Sequence, residues 1–309
     1  MGLGLFIIPY ASSITYICVL VIATFAVTLI FKTSATTNFA QSTIAALGSY
    51  FASYFLILKQ WNIWAALAVS VVFGICCGLF IDLVIFRNGK NVNLVGKQII
   101  TMGLVTVIAN IIPMFFRFAI TTPPIIPSFF NKMFIVNLPD GSMFFVTAHA
   151  LICLAITVAV ITVLFLLLRF SKWGLGVRTT ASNEYVAQMM GINTYAITAI
   201  SWGIAGGLGV LAAIMYLGSG TRLENPYIMT GFQVDAFLAG ILGGFGTFYG
   251  PLISAVLLQI VDSTIGLLAM IPGLELITRW KQAIVLIIVM ICIYIKPNGL
   301  FGKKIVKKV

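Results

Sequence analysis

The chain has 309 residues, of which 61% are hydrophobic and 8% charged, against about 45–50% and about 25% in a soluble domain, so lipid must be its solvent. The formal net charge of +11 raises nucleic acid as a partner, but the cations cluster at the ends of apolar runs, as membrane topology requires, and no nucleic acid is implied. Long unbroken runs that do not alternate exclude a transmembrane barrel and leave an all-α polytopic membrane protein.

Crossing about 30 Å of hydrocarbon takes roughly 20 helical residues. That ruler places a first span near residues 10–31, a second near 39–58 and a third near 61–86. A basic stretch, 87–97, leads to a fourth span near 98–116. Residues 117–145 hold Pro123, Pro124, Pro127, Pro139 and an Asp140-Gly141 turn, so they form an outer loop that cannot be one helix. A fifth span lies near 146–168, a sixth near 194–217, a short seventh near 232–242, an eighth near 247–270 and a ninth near 281–295. The expectation is about 8–9 transmembrane helices with broken or re-entrant elements, in a single domain over residues 1–309. No basic region followed by a small-residue cleavage site opens the chain, so no removable signal peptide is expected.

Arg87, Lys90 and Lys97 mark one loop, Arg169, Lys172 and Arg178 a second, and Lys303, Lys304, Lys307 and Lys308 the tail. The positive-inside rule puts all three in the cytoplasm. Even numbers of spans separate them, and three spans before the first put the N-terminus outside. A re-entrant element at residues 38–42 would reverse that end.

Two passages interrupt the apolar runs: "TTNFAQSTIAALGSY", 36–50, and "AFLAGILGGFGTFYGP", 236–251. Glycine costs roughly 1 kcal/mol against alanine in a helix. A broken backbone at membrane depth is tolerated only if it is buried in protein or lines a wet cavity. Interrupted helices in corresponding places point to a transport site, which makes Asn38, Phe39, Gln41, Ser42, Gly243, Gly244 and Gly246 candidates for a translocation pathway. The competing reading is close helix packing, because Gly240 and Gly244, and Gly203 and Gly207, have small-xxx-small spacing.

Asp82, Asp235 and Asp262 fall within or at the ends of spans, where carboxylates are costly. Asp82, beside Arg87, reads as paired or snorkelling; Asp235, Asp262 and His149 read as interfacial. The five cysteines sit in apolar runs without metal-ligand spacing. There is no phosphate loop, His-Glu-x-x-His or Ser-His-Asp group. No catalytic residue, metal site or bound cofactor is therefore expected. Uphill movement would draw on an ion gradient or on a partner.

The polar stretch "RTTASNEYVAQMMGINTYA" begins at Arg178. Ser182 or Asn183 can cap a helix, Glu184 suits its first turn, Tyr185, Val186, Met189 and Met190 form an apolar stripe, and Gly191 ends it. The result is a short amphipathic cytoplasmic helix, which either rests on lipid or docks in a groove of a soluble partner.

"GLGVRTTASNEYVAQMMGINTYAIT", from Gly174, resembles the cytoplasmic loop of permease subunits of branched-chain amino acid ABC transporters. Asn38-Phe39-Ala40-Gln41 with Gly48-Ser49-Tyr50, Asn225-Pro226-Tyr227-Ile228 with Gly243-Gly244-Phe245-Gly246, and the C-terminal Lys296-Pro297-Asn298-Gly299-Leu300-Phe301-Gly302 resemble further family segments in the same order. The family's His-Gly after Asn-Phe-Ala is here Gln41-Ser42, a lysine common in related subunits is here Asp235, and the Pro-rich loop matches weakly. The resemblance implies a multi-pass permease in the cytoplasmic membrane of a prokaryote, with a coupling loop at 169–194. Arg178, Asn183, Glu184, Val186, Ala187, Met190, Gly191 and Ile192 would couple it to cytosolic ABC ATPase subunits. A second permease subunit, identical or related, and an extracytoplasmic solute-binding protein would be the other partners, with ATP bound on the ATPase. The cargo would be a branched-chain or other amino acid. A sugar, nucleoside, urea or amide is the alternative within the superfamily. An ion-coupled carrier using Asp235 and Asp262 is the alternative from another class.

Overall fold

The computed structural model describes residues 3–88, 92–137 and 143–302. Lys90, the Pro139-Asp140-Gly141 turn and Lys303, Lys304, Lys307 and Lys308 lie outside these. In chain order come α1 (Leu3–Ser12), α2 (Ile14–Ser34), α3 (Gln41–Ile57), α4 (Ile63–Phe80), which a π turn (Ile81–Phe86) extends, and α5 (Leu94–Phe115). The outer loop holds α6 (Phe118–Thr121) and the strands β1 (Met133–Asn137) and β2 (Met143–Thr147). There follow α7 (Ala148–Phe170), α8 (Lys172–Ser182), α9 (Glu184–Met189), α10 (Thr194–Leu217), α11 (Thr230–Gly243), α12 (Tyr249–Leu268), a 3-10 turn (Glu275–Trp280) and α13 (Lys281–Ile295).

Among the described residues, seven helices are long and apolar enough to cross a membrane. Two further expected spans are shorter, α3 with 17 residues and α11 with 14, and they sit at the two interruptions read from sequence. Gln41 opens α3 against the carbonyl of Ala205, midway along α10. Residues 35–40 therefore make the first part of that crossing without helix. The end of α2 lies beside the start of α10, where Thr198 Oγ1 reaches the Thr33 carbonyl at 3.5 Å. Three crossings thus precede the 87–97 stretch, and the start of α2 lies on the face opposite the basic loops.

α10 is the central helix: 78% of its spanning window is buried, against 22% for α5 and α7. Lipid supplies no hydrophobic drive between helices, so tight approach of small residues must hold them together. The expected Gly203 and Gly207 meet the side chains of Leu79 and Ile75. The backbone approach is made by Gly206 against Gly74, and by Gly78 against Trp202. Gly206→Ala is expected to lower stability by about 1–3 kcal/mol through overpacking, whereas Gly231→Ala, with open space at its Cβ, is expected to be silent. Thermal unfolding of the purified chain in detergent compares them, and equal midpoints would refute the close α4–α10 approach.

The outer loop adds what the sequence did not suggest, an antiparallel hairpin with Met133 opposite Thr147 and Ile135 opposite Phe145. His149 is not interfacial as expected: it is 2% exposed. The Phe129 N–H donates to His149 Nδ1 (3.1 Å), so Nε2 carries the hydrogen and donates to the Met215 carbonyl (2.9 Å). The imidazole stacks on the Phe129 ring and fastens the outer loop to α7 and α10.

Candidate functional site

A short helix forms where the sequence placed one, over Glu184–Met189. Asn183 caps α9, its Oδ1 accepting from the Val186 N–H (3.1 Å). At the other end the Gly191 N–H donates to the Gln188 carbonyl (2.9 Å) and the Ile192 N–H to the Ala187 carbonyl (3.0 Å). Gly191 stands at φ +80°, the left-handed stop of a Schellman motif. Gln188 Nε2 also donates to Thr194 Oγ1 (3.0 Å), tying α9 to the start of α10. Only Ala187 of this helix is buried. Tyr185, Met189 and Met190 are each at least 70% exposed. Beneath α9 lies a polar cavity of about 510 Å³ walled by Asp82, Arg87, Lys97, Glu184 and Gln188. The helix is therefore a peg held at its ends above a polar space, not one seated on an apolar floor. The preceding helix α8, absent from the expected spans, carries Arg178 to a different cavity, with Lys32 and Arg169.

The candidate pathway residues divide into two places. Asn38, Phe39, Gln41 and Ser42 form one buried or half-buried cluster at the start of α3. Gln41 Nε2 donates to the Ala205 carbonyl (2.6 Å), and Asn38 Nδ2 donates to Gln41 Oε1 (3.2 Å). The side chain that completes the cluster is Gln233 of α11, which sequence reading did not single out. Its Oε1 accepts from the Ser42 N–H (2.7 Å), and its Nε2 donates to the carbonyls of Asn38 (2.8 Å) and Phe39 (2.9 Å). One amide thus satisfies both a free helix-start N–H and two non-helical carbonyls at membrane depth. Phe39 and Phe237 lie ring to ring beside it, 5.5 Å apart. A largely apolar cavity of about 280 Å³ opens there between α3, α5 and α11, lined by Phe39, Met102, Val105, Gln233 and Phe237.

Gly243, Gly244 and Gly246 lie elsewhere. Gly243 abuts the backbone of Gly250 and Pro251, and Gly244, at φ +81°, abuts the Asn298 carbonyl. The Leu300 N–H donates to the Leu242 carbonyl (2.7 Å), and Lys32 Nζ donates to the Gly246 carbonyl (2.8 Å). The second break is where the 296–302 segment seats against the bundle. Gly240 meets the Phe245 ring, so Gly240 and Gly244 do not form a helix-packing pair.

The acids are also placed. Asp82 is buried in the π turn and faces the cavity under α9; among the described residues it has no ion-pair partner. Asp262 pairs with Lys281 (2.6 Å) and accepts from Gln259 (3.1 Å), while Asp235 accepts from Gln282 (2.9 Å). Both therefore belong to contacts that join α11, α12 and α13.

A family model described as "branched-chain amino acid transport system / permease component" matches residues 10–294. The chain belongs to this permease family. It is 24% identical over 281 residues to the high-affinity branched-chain amino acid transport system permease protein LivH of Salmonella typhimurium, covering 88% of this chain and 87% of that one. It is 28% identical over 299 residues to the probable branched-chain amino acid transport permease protein LivH of Methanocaldococcus jannaschii (94% and 90%). It is 22% identical over 281 residues to the high-affinity permease protein BraD of Pseudomonas aeruginosa (88% and 88%). No solved structure matches. The matched region takes in both interruptions and α9. Gln233 carried no signal that could have found it: one amide in an apolar helix start looks like any other until its partners, more than 190 positions away, are known.

Proposed function

We propose that this permease is the membrane subunit of an ABC importer for a small, mostly apolar amino acid, in the cytoplasmic membrane of a prokaryote. The observation that carries the reading is the exposed apolar side of α9 above its polar cavity, which gives a cytosolic ATPase something to grip and the helix somewhere to move. Work then comes from ATP hydrolysis on that partner, and the chain performs no chemistry of its own. A second permease subunit closes the apolar cavity at α3, α5 and α11, and an extracytoplasmic binding protein delivers the cargo. The Phe39, Phe237, Met102 and Val105 walls suit an aliphatic side chain, in keeping with the branched-chain amino acids in the relatives' names.

Leucine uptake into proteoliposomes carrying the permease pair tests this. Uptake is expected only with ATPase, ATP and binding protein together, and is expected to survive collapse of proton and sodium gradients. Uptake by the chain alone, driven by either gradient, would overturn the proposal in favour of an ion-coupled carrier.

A further inference from the structure

At the basic face, α2, α7, α8 and the start of α12 line an open cavity of about 520 Å³. Lys32 of α2, Arg169 of α7 and Arg178 of α8 line it, and among the described residues no carboxylate does. Among the described residues none of these cations has an ion-pair partner. The cavity under α9 differs, since there Arg87 and Lys97 share the walls with Asp82 and Glu184. Three cations thus line one space with no carboxylate of the chain to compete for them, which suits a bound anion.

The donors are free to serve a ligand. Lys32 Nζ spends one N–H on the Gly246 carbonyl and stands 5.0 Å from the Phe248 ring centre, which leaves two N–H donors. Arg169 lies beside the Phe170 ring. Among the described residues Arg178 reaches only the Arg169 carbonyl, at 3.4 Å. Guanidinium forks match the paired oxygens of a phosphate.

Depth decides which phosphate. Lys32 and Arg169 occupy the last turns of spanning helices, at the level of headgroups. The cavity wall also includes Phe165, Leu168 and Phe248, and along α12 the outward Ile253 and Leu257 are exposed. An acyl chain can follow that surface; a soluble ion has no use for it. We propose that this cavity holds the phosphodiester headgroup of an anionic phospholipid, fixed by Lys32, Arg169 and Arg178. Basic pockets between spanning helices on this face suit such headgroups, and the volume lies in the usual range for ligand sites, about 300–1,000 Å³.

The test is native mass spectrometry of the delipidated full-length chain in neutral detergent, titrated with phosphatidylglycerol, phosphatidylcholine or glycerol phosphate. Phosphatidylglycerol is expected to bind at least about tenfold more tightly than phosphatidylcholine. Arg169→Gln with Arg178→Gln is expected to weaken it about 25-fold, about fivefold per cation. Arg87→Gln with Lys97→Gln, in the mixed-charge cavity, is expected to leave it unchanged. Should the double variant not fold, Arg178→Gln alone, at an exposed position of α8, carries the same test at about fivefold. Equal binding of the two lipids, or an unchanged affinity in the arginine variants, would overturn the proposal. So would displacement of the lipid by millimolar glycerol phosphate, which would assign the site to soluble phosphate.

Discussion

Replacing Met189 and Met190 together by aspartate is expected to abolish ATP-driven uptake, by at least about 100-fold, while the chain still folds and inserts. Buried anchors at the centre of an interface each contribute about 2 kcal/mol or more when truncated, and here charge would replace apolar surface. The fold should not notice, because these two side chains are 73% and 71% exposed. The helix keeps its Asn183 cap, its Gly191 stop and the buried Ala187. Glu184→Lys is expected to act in the same direction, more weakly, by reversing the charge that suits the helix start. Deleting residues 184–190 is expected to give the full loss. Co-purification with the ATPase is the deciding measurement. A double aspartate variant that still retained the ATPase would show that α9 is only an interfacial helix, since charge on its apolar side would then disturb membrane seating and not partner binding.

What could be read from sequence was whatever local chemistry dictates. α9 was legible because cap, first-turn acid, apolar stripe and glycine stop all lie within nine residues of one another. α10 was legible because its apolar run has nearly the length of the bilayer. Both breaks were legible because glycine and amides are costly in an apolar helix. The partners of those breaks were not. The 236–251 glycines signalled an irregular backbone, but what covers it is the distant 296–302 segment, with Leu300 hydrogen-bonded to Leu242. The close approach at Gly206 was not legible because the small-residue spacing picks out Gly203 and Gly207, while Gly206 stands between Trp202 and Val210 at that spacing, and only the rotation of α10 against α4 turns it to Gly74. The β1–β2 hairpin was obscured by the prolines before it. His149 looked interfacial because it opens a span, and its burial depends on the loop that folds back over it.

The partner that matters most is Gln233, and its replacement by leucine is expected to stop uptake while leaving ATPase docking intact. Leucine keeps much of the volume but removes three hydrogen bonds at once. The Ser42 N–H and the carbonyls of Asn38 and Phe39 would then lack partners in a region without bulk water, at about 1–3 kcal/mol for each unsatisfied group. The unfolding midpoint should fall accordingly. Gln233→Glu separates the two halves of the contact: a carboxylate can still accept from Ser42 but cannot donate, and would face two carbonyl oxygens. It is expected to be at least as damaging as leucine, whereas loss of packing alone would make it milder. Uptake and ATPase co-purification measured together distinguish this class from the α9 variants, which lose both. A Gln233→Leu protein that transports at the normal rate would mean that the start of α3 does not depend on α11. The geometry points the other way. Gln233 links the broken start of α3 to a helix whose far end seats the 296–302 segment, so a tilt of α11 would pull on residues 38–42 and the cavity wall they form, against the Gln41 bond that holds them to α10.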